Sequence, residues 1–220
     1  DVAVKVQYAG IDRVMETDLR NIAILVRILA RLEPNFDFRV IMAELSKDMP
    51  RELDFILEGH SAERVARDLS HRRDIRVPTV VWEHTARRVL TTEFIEATKI
   101  SDIPALQRQG IDPNQVALIM TEAYCEQILV HGYFHADPHP GNLFVLPGPV
   151  VVFLDFGLSK ELPEEFRLNY ARLVMALISQ DEAAMVRAFE ALGFKTKSGD
   201  PESLVALGRS FFESTGPGQK

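Results

Sequence analysis

Cysteine and tryptophan are nearly missing from the 220 residues, with one of each, Cys125 and Trp82. A single thiol excludes an intramolecular disulfide and any cysteine-built metal cluster, and it suits a reducing compartment. Cys125 falls in an apolar stretch of helical period, where a thiol is expected to pack rather than react. No apolar run reaches the roughly 18 residues of a membrane span, and no secretory signal opens the chain. A basic surplus is missing too: 25 Lys and Arg stand against 32 Asp and Glu, a formal net charge of −7. That balance argues against nucleic acid as the main partner. Arg72-Arg73 and Arg87-Arg88 are short and read as solvated face. No repeat or low-complexity block is present.

What is present is a hydrophobic share of 46%, enough to fill a core. Residues 2–8 alternate and are rich in valine, so they read as a strand already under way, as in a fragment of a longer chain. Helical spacing is expected over 16–32 and again over 39–69, where Pro50 should kink or restart the helix. Residues 79–83 and 87–95 look like a β-hairpin. A helix is expected over 113–131, opened by Asp112-Pro113 as cap and first-turn proline. Residues 143–146 and 150–154 should pair across Pro147-Gly148-Pro149. Helices close the chain at 164–179, 181–192 and 201–213, before a Gly-Pro-Gly end.

The most informative spacing lies in His135-Ala136-Asp137-Pro138-His139-Pro140-Gly141-Asn142, followed by Asp155-Phe156-Gly157. An Asp, an Asn five residues on, and a second Asp thirteen further on match the catalytic core of a kinase fold. One carboxylate can orient or deprotonate a hydroxyl. An amide oxygen and a second carboxylate suit a hard cation. Lys5 follows Val-Ala-Val on the first strand, upstream of that loop, as a phosphate-binding lysine should. Its glutamate partner is expected on the next helix, with Glu44, Glu52 and Glu58 as candidates. Glu93 and Ile95 end the expected hairpin, where the backbone of an interlobe hinge would read an adenine edge.

A competing reading takes His135, Asp137 and His139 as a zinc or iron triplet, but it leaves the Asp-Phe-Gly unexplained. His60, His71, His84 and His131 have no motif context. After Asp-Phe-Gly only six residues, Leu158 to Pro163, precede the next expected helix. A protein kinase keeps a long activation segment there, ending in Ala-Pro-Glu. Its absence argues against an ordinary protein kinase.

Taken together, Val2–Tyr8, Glu52-Leu53-Asp54-Phe55 with Glu58, Val89–Glu93, the loop 135–142 and Leu154–Gly157 resemble the ABC1/UbiB/ADCK family of atypical kinases over residues 1 to about 195. The resemblance implies an α+β, protein-kinase-like two-lobe fold whose small lobe is truncated at its N-terminal edge. Residues 1–95 would form a partial N-lobe and 96–220 a helical C-lobe. It implies ATP and Mg2+ as cofactors. Lys5 would pair with Glu52 and contact phosphates, Asp137 would serve as catalytic base, and Asn142 and Asp155 would hold metal. Asp54 would belong to the family's Glu-x-Asp motif, which meets an N-terminal helix bearing Lys-x-Gly-Gln, and His135 and His139 would support the loop. Family members are linked to coenzyme Q and other isoprenoid lipids. That implies a lipid or quinone-precursor ligand and a place at the inner face of a bacterial or organellar membrane, by peripheral contact. Two other functions remain open on the residues: a nucleotide-sensing regulator without catalysis, and a phosphotransferase of the aminoglycoside or choline type.

Overall fold

Val150, Val151, Val152 and Phe153 form an unbroken apolar run rich in β-branched residues, and a strand that is apolar on both faces belongs inside a sheet. In the computed structural model, which describes residues 1–32, 42, 46, 49, 51, 53–194 and 201–213, that segment is such a strand. Val151, Val152 and Phe153 are fully buried.

The elements of the first part of the chain are β1 (Val2–Val6), α1 (Ile11–Leu32), α2 (Phe55–Asp68), β2 (Ile75–Arg76), β3 (Val89–Glu93) and β4 (Thr98–Lys99). They are followed by α3 (Ile103–Arg108), α4 (Pro113–Glu126), β5 (Tyr133–His135), β6 (Leu143–Leu146), β7 (Val150–Phe153) and β8 (Ser159–Glu161). Strands β6 and β7 pair antiparallel from Leu143 opposite Phe153 to Leu146 opposite Val150, as expected from the Pro-Gly-Pro turn. They form the centre of a sheet of order β2-β7-β6-β4.

The expected 79–83/87–95 hairpin is replaced. Strand β3 pairs antiparallel with β1, Lys5 standing opposite Leu90. One isolated bridge, Val80 to Thr92, joins the two halves of the expected hairpin, and a second, Ala86 to Val89, closes the turn before β3. Residues Trp82–His84 form a 3-10 turn instead of a strand. The cause is local: the Thr91 hydroxyl donates to the His84 carbonyl (2.6 Å) and the Thr85 hydroxyl to the Val81 carbonyl (2.9 Å), which coils the segment.

Helix α1 begins at Ile11, earlier than the periodicity suggested, after Gly10 at φ +80°. Most of the expected 39–69 helix before Phe55 lies outside the described residues, together with Glu44, Pro50 and Glu52. Asp112 accepts from the Asn114 amide at 2.9 Å and opens α4 as expected. The helix expected to run to 131 is α-helical only to Glu126. It widens into a π turn over Gln127–His131 before Gly132. Cys125 is exposed rather than packed. The buried positions of α4 are Val116, Ile119 and Ala123, which put residue 125 on the opposite side.

The chain divides into two compact units, Asp1–Tyr124 with Phe134–Lys160, and Cys125–Tyr133 with Glu161–Lys220. This division differs from a boundary at 95/96, because the hairpin after the loop shares its sheet with β2 and β4. In the second unit α5 (Glu164–Ser179), α6 (Glu182–Ala191) and α7 (Glu202–Glu213) bury Leu173, Ala176, Met185, Ala188, Phe189 and Leu204 together. Asp181 caps α6 by accepting from the Ala184 amide. No helix among the described residues is long and apolar enough to cross a membrane.

Candidate active site

Every expected site residue among the described ones lies in the first unit, on the elements around β7. Strand β1 presents Lys5. Helix α2 presents Glu58, because its buried positions Phe55, Glu58, Ala62 and Val65 follow the helical repeat. The Lys5 ammonium donates to both Glu58 carboxylate oxygens, at 2.9 and 3.0 Å. It also lies 3.1 Å from an Asp155 carboxylate oxygen and 5.1 Å from the centre of the Phe55 ring. The glutamate that holds Lys5 is therefore Glu58. Glu52, to which the resemblance gave this role, lies outside the described residues.

Burial works to lower the Lys5 pKa, but the charges of Glu58 and Asp155 outweigh it and hold the ammonium above its ordinary range. Burial pushes the Glu58 carboxyl up; Lys5 opposes this and the charge of Asp155 adds to it. Two carboxylates thus face one ammonium, and the surplus is negative.

Asp54 caps α2, its carboxylate accepting from the Ile56 amide at 3.1 Å. Arg87 lies 3.6 Å from its other oxygen. Asp155 follows β7 in the left-handed region, φ +57°, where Asp is tolerated better than most side chains. This conformation turns its carboxylate towards Lys5 while Phe156 stays buried.

The loop end is tied by short polar contacts. The Asn142 side-chain amide donates to an Asp137 carboxylate oxygen at 2.8 Å. The Asn142 backbone amide donates to the His139 carbonyl, and Leu154 donates to the Asn142 carbonyl, both at 2.8 Å. His139 Nδ1 accepts from the Gly141 amide at 3.0 Å. His135 is fully buried. Its Nε2 donates to the Leu154 carbonyl at 2.9 Å, which makes Nδ1 of the neutral ring the acceptor for the Tyr124 hydroxyl at 3.2 Å. The ring also meets Phe156 edge-on, centroids 5.2 Å apart. With both nitrogens engaged, His135 is a structural strut and not a metal ligand. No cluster of three His, Cys, Asp or Glu that could hold a metal occurs among the described residues.

Part of this set borders a cavity of about 400 Å³, whereas Asp54, His135, Asp137 and His139 do not line it. Lys5, Glu58, Asn142 and Asp155 form its polar end, and Ala3, Leu90, Phe144 and Val152 form apolar walls. Glu93, Phe94 and Ile95 form its rim. The volume and the mixture suit a small molecule with a flat apolar part and an anionic part. With its nitrogen turned to Asp137, Asn142 could offer its amide oxygen to a hard cation, and Asp155 could offer a carboxylate.

Two partners escaped the sequence reading. Tyr124 has no motif, and its phenol is driven up by burial and by the charge of Asp137. Arg76 holds Glu93 through both carboxylate oxygens, at 2.7 and 2.9 Å. Burial works to raise the Glu93 carboxyl, but the hydrogen bonds from Arg76 and the Thr79 amide win and hold it low. Nothing in the spacing of Arg76 and Glu93, on two short strands, signals that pair.

Known proteins resemble this chain over most of its length. The family model described as ABC1 atypical kinase-like domain matches residues 1–189. AarF domain-containing protein kinase 1 of Gallus gallus is 36% identical over 197 residues, covering 87% of this chain and 38% of the relative. The Mus musculus protein of the same name is 38% identical over 197 residues, with the same coverages. The chain thus spans 38% of the length of these two curated relatives. Among solved structures, the complex of Rv3197 with erythromycin from Mycobacterium tuberculosis matches with a TM-score of 0.69 at 25% identity, over 89% of this chain and 49% of that one.

Proposed function

The chain belongs to the ABC1 family of atypical kinase-like domains, and from that premise we propose that it is the nucleotide-binding part of an ATP- and Mg2+-dependent kinase or ATPase. The observation that carries this reading is the position of Lys5, bonded to Glu58 and to Asp155 at the polar end of the cavity. A lysine so placed meets phosphate oxygens, and the surplus carboxylate beside it favours a divalent cation between the two. Asn142 and Asp155 would hold Mg2+, which supplies charge neutralisation on the phosphates.

In this reading the residues work by position and field. The apolar walls take the adenine, and the backbone at Glu93 and Ile95 reads its edge. Asp137, oriented by Asn142, accepts the proton of an acceptor hydroxyl or of water. His135 holds the carbonyl of Leu154, so the residue before Asp155 is fixed.

The acceptor class rests on family resemblance. We propose a lipid or quinone-precursor substrate in isoprenoid-lipid biosynthesis, at the inner face of a bacterial or organellar membrane, through peripheral contact. The test follows ATP hydrolysis by the full-length protein with Mg2+, with and without anionic vesicles and a phenolic quinone precursor, beside Asp155→Asn. Lipid-stimulated turnover that disappears in the variant is the expected result. Tight ATP binding with no turnover under any condition overturns catalysis in favour of a nucleotide sensor. Phosphorylation of choline or an aminoglycoside overturns the lipid assignment.

A further inference from the structure

We propose that Trp82 is a positioning residue: its indole seats helix α2 so that Glu58 faces Lys5. The inference rests on the nucleotide-binding reading of the cavity and adds to it the element that sets the lysine end. Gly59 follows Glu58 directly, and the indole lies against it. A Cβ at position 59 would stand 2.7 Å from Trp82 Cη2 and 3.3 Å from two neighbouring ring carbons. Only a residue without a side chain lets helix and ring approach this closely.

Two more residues of the same helix hold the ring. The indole Nε1 donates to a Glu63 carboxylate oxygen at 2.6 Å. His60 stacks on Trp82 at a tilt, centroids 4.6 Å apart, and lies 3.7 Å from the other Glu63 oxygen. One side chain therefore meets Gly59, His60 and Glu63, the residues one, two and five positions beyond Glu58.

The ring has a firm base. Trp82 opens the 3-10 turn that Thr85 and the buried Thr91 hold through the Val81 and His84 carbonyls. The Thr91 amide also donates to the Thr85 hydroxyl at 3.1 Å. Thr91 sits on β3 one register position from the Lys5–Leu90 pair: Val4 stands opposite Thr91. The strand pair that carries Lys5 thus also carries the turn that seats the helix bearing Glu58. The indole closes this frame from outside the cavity, since it is not among the residues that line it.

The experiment compares Trp82→Ala, Glu58→Gln and the double variant in the full-length protein, with Mg-ATP affinity and thermal stability as readouts. A third readout is the rate of Lys5 acylation by acetic anhydride, followed by peptide mass spectrometry. Lys5 acylates slowly while both carboxylates hold its ammonium. Positioning through Glu58 predicts non-additivity: Trp82→Ala weakens Mg-ATP about tenfold in the parent but less than about twofold on top of Glu58→Gln. Lys5 acylation rises several-fold in either single variant and no further in the double, on the order of the same coupling. A lower Tm with affinity and acylation unchanged overturns the proposal and leaves Trp82 a packing residue.

Should Trp82→Ala fail to fold, Gly59→Ala carries the same test. Alanine raises helix propensity, so a loss of affinity there comes from the displaced contact. If the parent binds no Mg-ATP, the nucleotide reading fails, and the acylation rates still decide for or against the clamp.

Discussion

The lysine end of the cavity and its loop end are held by different forces. At the lysine end three ionisable groups, Lys5, Glu58 and Asp155, meet across long stretches of sequence, and 42% of the Lys5 side chain stays open to solvent. At the loop end the buried His135 and the half-buried Asn142 and Leu154 are joined by hydrogen bonds to backbone. Two carboxylates against one ammonium leave the first end with unspent negative charge, a reason for it to accept a cation. At the second end His135 is satisfied internally, with a partner on each ring nitrogen. Substitutions at the lysine end should therefore show in ligand binding and turnover, and those at the His135 strut, which does not line the cavity, in stability.

Asp155→Asn tests the first half hardest. It removes one of the two carboxylates facing Lys5 and the one proposed to hold a metal with Asn142. Turnover with Mg-ATP is expected to fall on the order of 10³-fold or more, while the melting temperature stays near that of the parent. Full activity in this variant sinks the assignment of Asp155. Glu58→Gln comes next. A hydrogen bond to a charged group contributes about 1.5–3 kcal/mol, so kcat/KM for Mg-ATP should drop about 10- to 100-fold. Stability should change little, because removing Glu58 also removes a buried carboxylate that burial disfavours. A large loss of stability in Glu58→Gln would erase the contrast between the ends.

His135→Leu inverts the pattern. The Leu154 carbonyl and the Tyr124 hydroxyl both lose their partner, and an unsatisfied buried group costs about 1–3 kcal/mol. The melting temperature should fall by roughly 2–4 °C for each kcal/mol in a chain of this size. Mg-ATP affinity, measured well below that temperature, should stay within about threefold of the parent. Equal loss of affinity in His135→Leu and Glu58→Gln would show that the two ends act as one network.

The same contrast governs what could be read beforehand. The loop end is short-range: Asp137 to Asn142 is one motif, and the Pro-Gly-Pro turn fixes the hairpin that leads to Asp155. Spacing alone places those groups. The lysine end depends on a pair 53 residues apart, and three glutamates, Glu44, Glu52 and Glu58, offered themselves. Which one faces the cleft follows from the phase of α2, and that phase is set where Asp54 caps it. The sequence pattern showed the apolar residues 53, 56 and 57, whereas the buried face runs through Phe55, Glu58, Ala62 and Val65. A charged residue on that face is invisible to hydrophobic periodicity. The turn at Trp82–His84 was hidden for another reason. Its residues favour strands, and two threonine hydroxyls bonding to carbonyls override that preference.

Asp54 offers the smallest and most discriminating test, because it belongs by position to both ends of this reasoning. As a helix cap it accepts from the Ile56 amide, and loss of such a cap costs about 1 kcal/mol. By family resemblance it also belongs to a motif that meets a further segment of the protein. Asp54→Ala should lower the melting temperature by about 2–4 °C and loosen Glu58 slightly, since α2 starts one residue later. Asp54→Ser keeps a capping oxygen at nearly the same place without the charge. If the cap is the whole role, Ser restores both stability and Mg-ATP turnover. If Ser restores stability while turnover still departs from the parent, the carboxylate acts on something beyond α2, with Arg87 the first group to examine, 3.6 Å away.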